Sequence, residues 1–318
     1  MHLNSWFLAT MIALVSNSAL ASDSPYRTAL GSSSAGMQVR DLEVRARVTG
    51  TGRQAVLASL SAAIAAKLPD VADISQSTAI SDDEHSFLQG KGWTLDVRGD
   101  GNWSRFWAQP SSATAVALER RLSTSALDIL GRQFIGDVLA EHIVLQSDEH
   151  LEVWRTSYEL SVGGPVTGGV DRKVVANRIV YTRVVGDTAV IGPGSKVSVT
   201  FTNDGRVTGF QYDWSTLVRS TTTTTRSASP SVIAGRLGEV AAKKQLSKGV
   251  TLEQFECRYY DVGALAQSSV PLQAGCMAKH VVRNGGLIQA LISFIPATEA
   301  LTRVGGHEEP RIFGEVHR

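Results

Sequence analysis

The stretch GPGSKVSVTFTNDGRVTGFQYDW, residues Gly192 to Trp214, admits two readings, and the choice between them decides the fold. Gly192 and Gly194, followed by Ser195 and Lys196, have the composition of a loop that cradles phosphate. Such a loop sets its glycines between a strand and a helix, so that backbone N–H groups and the helix N-terminus face the anion. Here the chain runs instead into Val197-Ser198-Val199-Thr200-Phe201, whose alternation is that of a strand. Asn203-Asp204-Gly205-Arg206 then separates this run from a second one through Val207 and Phe210. An Asp-Gly pair between alternating runs marks a hairpin, because glycine tolerates positive φ in the turn. Gly192-Pro193-Gly194 is therefore a turn feeding a hairpin, and Lys196 is expected to face solvent.

Two further stretches have the same form. WTLDVRGDGNWSRFW, Trp93 to Trp107, turns at Asp100-Gly101, and HVVRNGGLIQALISFIP, His280 to Pro296, turns at Asn284-Gly285. Superimposing Gly101, Gly205 and Gly285 also superimposes Val97, Phe201 and Val281, then Trp103, Val207 and Leu287, then Phe106, Phe210 and Ala290. A helix precedes each unit. In the first, Thr51 is expected to cap and Gln54 to complete a capping box. Val56, Leu57, Leu60, Ile64 and Leu68 form its apolar face, and Pro69 ends it. The second spans about 113–142, with Val116, Leu118, Leu122, Leu127, Leu130, Phe134, Ile135, Val138 and Leu139 on its apolar side and Gly131 or Gly136 as a point of division. The third starts at Ser229-Pro230, with Ile233, Leu237 and Val240 as its stripe. The fold class is α+β: antiparallel hairpins packed on helices, with a degenerate helix-plus-hairpin repeat.

The rest of the chain sets the limits. With 318 residues, one large or two smaller domains are expected, and 43% apolar residues suffice for a buried core. Lys+Arg number 31 against Asp+Glu 30, with no basic run, so an electrostatic footprint for nucleic acid is missing. Trp6 to Val15, WFLATMIALV, has the length of a secretory h-region and is followed by Ala19-Leu20-Ala21, the small-residue pattern that signal peptidase reads. The run is too short to cross a bilayer core of about 30 Å as a helix. Residues 1–21 thus read as a signal peptide, although the n-region offers only His2 and no Lys or Arg; an uncleaved anchor and a buried helix are the other readings, and no transmembrane segment is expected after cleavage. Ser-, Ala- and Gly-rich residues 22–36 read as a flexible segment. Residues 37–48 alternate as a strand. Residues 37–218 read as an α+β domain with two helix-plus-hairpin units, residues 219–229 as a threonine-rich linker, and residues 230–318 as a C-terminal α+β unit. In an oxidising compartment, Cys257 and Cys276 are most simply one disulfide; two buried thiols are the alternative.

The pattern TRVVGDTAVIGPGSKVSVTFTNDGRVTGFQYDW resembles the PepSY and fungalysin/thermolysin-propeptide group of secreted modules. Gly186, Val190 and Gly192 match that group's strand-ending turn; Val197, Val199, Gly205 and Val207 match its hairpin. The resemblance is centred on residues 181–214. It implies a cystatin-like module, a curved antiparallel sheet on a helix, that holds or inhibits a partner, commonly a peptidase. No cofactor is expected.

Motifs for chemistry are sparse. No HExxH occurs; the nearest approach to a metal site is His142, Glu149 and His150, which a solvated helix end also explains. The run Ser81 to His85 reads as an acidic surface loop. A G-x-S-x-G elbow is absent. Trp93, Trp103 and Trp107 cluster on the first hairpin, either as core or as an aromatic surface for a peptide, glycan or protein. A sheet edge of this architecture can also accept an extended peptide by backbone pairing. The expected function is a secreted, non-catalytic binding or inhibitory module acting on an extracellular protein or peptide. A secreted hydrolase with an unrecognised, metal-dependent site and an envelope structural protein are the other readings.

Overall fold

The computed structural model describes residues 43–47, 50–109, 121–163, 171–224, 232, 235, 236, 239, 250–263, 272–284, 287–296 and 312–313. The expected signal peptide, the 22–36 segment and most of the third helix lie outside them.

In chain order the elements are β1 (Glu43–Arg47), α1 (Arg53–Lys67), a 3-10 segment (Pro69–Gln76), β2 (Ile80–Ser81), β3 (His85–Gly90), β4 (Trp93–Arg98) and β5 (Trp103–Ala108). Then come α2 (Thr124–Val138), β6 (Glu149–Gly163), β7 (Asp171–Val185), β8 (Thr188–Ile191), β9 (Lys196–Phe201), β10 (Val207–Asp213) and β11 (Leu217–Thr224). The C-terminal part adds β12 (Val250–Tyr260), β13 (Gln273–Asn284), β14 (Leu287–Pro296) and β15 (Ile312–Phe313). The fold is α+β and dominated by one mixed sheet of the order β15-β14-β13-β12-β8-β7-β9-β10-β5-β4-β3-β2, with β6 on the other side of β7.

All three expected hairpins are present and share this sheet. β4 pairs with β5 from Trp93↔Ala108 to Arg98↔Trp103, and β9 with β10 from Val207↔Phe201 to Asp213↔Lys196. β13 and β14 pair up to Asn284↔Leu287. The first two hairpins lie side by side, β5 against β10, with Phe106 opposite Phe210 and the two rings 5.7 Å apart. The C-terminal hairpin joins through β12, which pairs in parallel with β8 at Tyr259↔Val190 and Tyr260↔Ile191. Residues 219–224, expected as linker, are instead strand β11 paired with β1. Threonine is β-branched and suits a strand as well as a loop.

Both helices cover one face of the sheet. Val56, Leu57, Leu60 and Ile64 of α1, and Leu127, Phe134, Ile135 and Val138 of α2, share a buried cluster with Leu95, Val97, Phe106, Tyr181, Val197, Val199, Phe201 and Tyr212. The expected cap of α1 is corrected: Gly52 (φ 96°), not Thr51, precedes the helix, without a side-chain cap. Gln54 donates to Ser81 Oγ (3.0 Å) rather than closing a capping box. The hairpin turn sets this helix start, since Gly52 N donates to Asp100 O at 3.3 Å. A Cβ on Gly101 would lie 2.4 Å from Val56. α2 starts at Thr124, capped by Ser123, whose Oγ accepts from Ala126 N, and ends at Val138, short of the expected 142; the expected positions Val116 and Leu118 lie outside the described residues. Neither Gly131 nor Gly136 divides it; Gly131 is where the helix meets Tyr181, whose OH would be 2.3 Å from a Cβ there.

Candidate functional site

The sequence places several charged residues where the sheet buries them. Arg183 stands inside the apolar run Ile179 to Val185, and it is fully buried. Its guanidinium lies 4.0 Å from the Trp214 ring centroid, donates to Ser215 O (2.6 Å) and stands 3.7 Å from Glu149 Oε1. Arg45 of β1 reaches the same carboxylate at 3.0 Å and also pairs with Asp148. Burial works against the Arg45 charge, but the Asp148 hydrogen bond and the Asp148 and Glu149 charges outweigh it and hold its pKa up. These groups tie β1, the start of β6 and β7 together below the surface.

Next to them lies the GPGS turn. Gly194 N donates to Asp261 O (3.1 Å) and Asp261 N to Ile191 O (2.9 Å). Ser195 Oγ donates to the Asp261 carboxylate (2.5 Å), whose other oxygen accepts from Gly263 N (2.9 Å). A Cβ at Gly194 would fall 2.2 Å from that carboxylate, so only glycine fits. Ser195 has φ 54°, unusual for a side-chain-bearing residue, and its carbonyl accepts from Arg183 N (3.0 Å). The loop that has the composition of a phosphate cradle thus holds an aspartate of the C-terminal part.

Lys196, expected to face solvent, is 9% exposed. Val197 shares its face with Tyr181 and Tyr212 in the core, so alternation turns Lys196 to the other face, opposite Thr182 and Asp213. Its Nζ donates to Thr182 Oγ1 (2.8 Å) and Val190 O (2.7 Å) and lies 4.9 Å from the Trp154 ring centroid. Burial draws its pKa down to about 7, against the attraction of Asp261 and Asp213. Hydroxyl, amine and carboxylate are therefore close together here. Ser195 is fully buried, however, so the cluster is built as a joint between the two parts of the sheet rather than as an open centre.

The residues singled out from sequence go to separate places. His142 accepts or donates through Nε2 to Ser59 Oγ (3.3 Å) and stacks on Tyr212 at 6.0 Å; burial lowers its pKa, against Glu141. Glu149 faces Arg45 and Arg183, and His150 is exposed. The structure does not bring the three together, and among the described residues no three His, Cys, Asp or Glu side chains form a metal-sized group. Asp82 caps the acidic turn, accepting from Glu84 N and His85 N, which lowers its pKa. Trp93 and Trp103 are core residues; Trp107 is 46% exposed. Trp93 Nε1 donates to Asp73 Oδ1 (3.0 Å), and Arg98 covers Trp103 at 4.7 Å. Cys257 and Cys276 form a disulfide between directly paired residues of β12 and β13.

On the far side of β7 from β9, strand β6 forms an exposed border of the described sheet. Among the described residues β6 pairs only with β7, and Glu152 and residues Trp154 to Glu159 are all exposed. Between Val153↔Tyr181 and Arg155↔Val180 the register shifts by one residue, leaving Trp154 as a bulge. A bulge lets consecutive side chains project to one side, which brings the Trp154 ring over Lys196. Arg155 lies over the same ring at 5.1 Å and Arg121 over Tyr158 at 4.0 Å. Sequence reasoning missed Lys196, Asp261, Arg45 and Arg183. The one available signal was an arginine in the middle of an apolar strand run. No family model matches this chain, and no curated protein matches it significantly. No described helix is long and apolar enough to cross a membrane.

Proposed function

We propose that this chain is a secreted, non-catalytic binding or inhibitory module that takes an extended segment of an extracellular protein or peptide along the edge of β6. The observation that carries the reading is that edge: a 15-residue strand whose outer side is exposed from Trp154 to Glu159. Its N–H and C=O groups that face away from β7 pair with no other described strand and can bond an added one, and alternate side chains select for its sequence. Trp154 and Tyr158 offer rigid aromatic area beside it. In the same reading, α1 with β4–β5 and α2 with β9–β10 are degenerate copies of one cystatin-like plan, as the resemblance to the PepSY and propeptide modules implies. A peptidase is the class of partner that resemblance suggests. The His142, Glu149 and His150 hydrolase reading has no support in the placement of those side chains.

The test is a display library of unstructured ten-residue peptides screened against the purified secreted protein. Selected peptides are then titrated by calorimetry. Backbone N-methylation at alternate positions is expected to abolish binding while side-chain changes only grade it. Failure to retain any peptide, or indifference to N-methylation, would dispose of the edge as the binding site. Sequencing the N-terminus of the secreted protein checks the location, with Ser22 as the expected first residue.

A further inference from the structure

The run Arg155-Thr156-Ser157-Tyr158-Glu159 lies between two shifts of register, the bulge at Trp154 and the shift between Glu159 and Leu160, and is regularly paired throughout. Arg155, Ser157 and Glu159 lie opposite Val180, Arg178 and Ala176 and share one face; Thr156 and Tyr158 share the other. The run is complementary in charge to itself when reversed. We propose that two copies of this chain pair β6 against β6, antiparallel, about a two-fold axis through Ser157. The inference rests on the same exposed edge as the proposed function and gives its resting state: self-paired, and opened when a partner segment displaces the second copy.

A two-fold axis perpendicular to a sheet keeps like faces together, so only pairings of residues with the same parity are allowed. Centred on Ser157, Arg155 of each copy faces Glu159 of the other, Thr156 faces Tyr158, and the two serines meet on the axis. Glu159 already holds Arg178 through Oε1 at 2.8 Å, and a carboxylate can accept a second guanidinium through its other oxygen. Centres at Thr156 or Tyr158 pair neither charge. Centres at Arg155 or Glu159 set like charges against one another, which is unfavourable across strands. At the start of the run, the Trp154 ring has the cationic groups of Arg155 and Lys196 at 5.1 Å and 4.9 Å from its centroid, contacts that favour one placement of this edge before pairing. A preordered edge loses less freedom on association.

The experiment uses Ser157→Cys and Thr156→Cys in the full secreted chain. Its two native cysteines are joined to each other, so the added thiol is the one available. A dimer mass by sedimentation and rapid covalent dimer formation by Ser157→Cys, much faster than by Thr156→Cys, are expected. Arg155→Glu should weaken self-association by about tenfold or more, because both cross-strand pairs become repulsive. A monomer mass at about 100 µM, with equal cross-linking of the two cysteine variants, overturns the proposal. A monomer that still binds selected peptides also overturns it while leaving the proposed function in place. A covalent dimer of the Ser157→Cys variant that binds no peptide, either cross-linked or after reduction, supports the dimer and overturns the proposed function.

Discussion

Lys196 gives the structure its most direct thermodynamic test. Its ordinary pKa is 10.5 and burial draws it down to about 7 in the folded protein. Between these values the unfolded chain binds the proton that the folded chain has lost. Stability therefore rises with pH across that window, and falls as pH drops through about 7. The full slope is about 1.4 kcal/mol per pH unit, so some 2–3 kcal/mol should accrue between about pH 7 and pH 9. The neighbouring titrations leave this range clear. His142, lowered by burial, acts on the acid side, and Tyr181 and Tyr212, raised by burial, act above pH 10. The opposing forces are also visible: the acceptors Thr182 Oγ1 and Val190 O and the Trp154 ring all favour the ammonium form. The assay is urea unfolding at pH 7, 8 and 9 of the native protein and of Lys196→Met, which keeps the volume and removes the charge. The midpoint of the native protein should climb while that of Lys196→Met stays level, with unchanged m. Parallel pH dependence in the two proteins would refute the reasoning, since it would mean the acceptors hold Lys196 charged at its ordinary pKa.

Two glycines should respond in opposite directions. Gly194→Ala forces a methyl against the Asp261 carboxylate and is expected to destabilise by about 2 kcal/mol or more in chemical unfolding. Gly136→Ala, in α2 with open space around it, should stabilise by about 0.5–1 kcal/mol; a loss there would show that α2 does not continue through this position. Removing the disulfide with Cys257→Ala and Cys276→Ala, which releases a loop of sequence separation 19, should cost about 3 kcal/mol by the chain-entropy model. A melting temperature unchanged by that pair of substitutions would show that β12 and β13 are held together without it.

Much of the framework was legible from local signals. Alternation and the Asp-Gly and Asn-Gly turns marked the three hairpins, because a strand's period and a turn's positive φ are properties of neighbouring residues. The stripe Val56, Leu57, Leu60, Ile64 identified the buried face of α1 for the same reason. Even the pairing of Cys257 with Cys276 followed from their number once an oxidising compartment was expected.

What the tertiary structure alone decided was which face of each strand met the helices and which groups met across distant parts of the chain. Trp93 and Trp107 look alike in sequence, yet Trp93 lies opposite Ala108 and Thr94 opposite Trp107, so they fall on opposite faces, one buried and one exposed. A single residue of register makes that difference. Lys196 follows the same rule: Val197 takes the core face, so the lysine is turned toward Trp154, Asp213 and Asp261 rather than water. The glycines of GPGS could be read as a turn, but their partner, Asp261, lies 66 residues beyond Ser195. Local periodicity carries no information about a contact at that separation; only the closed sheet brings the two together.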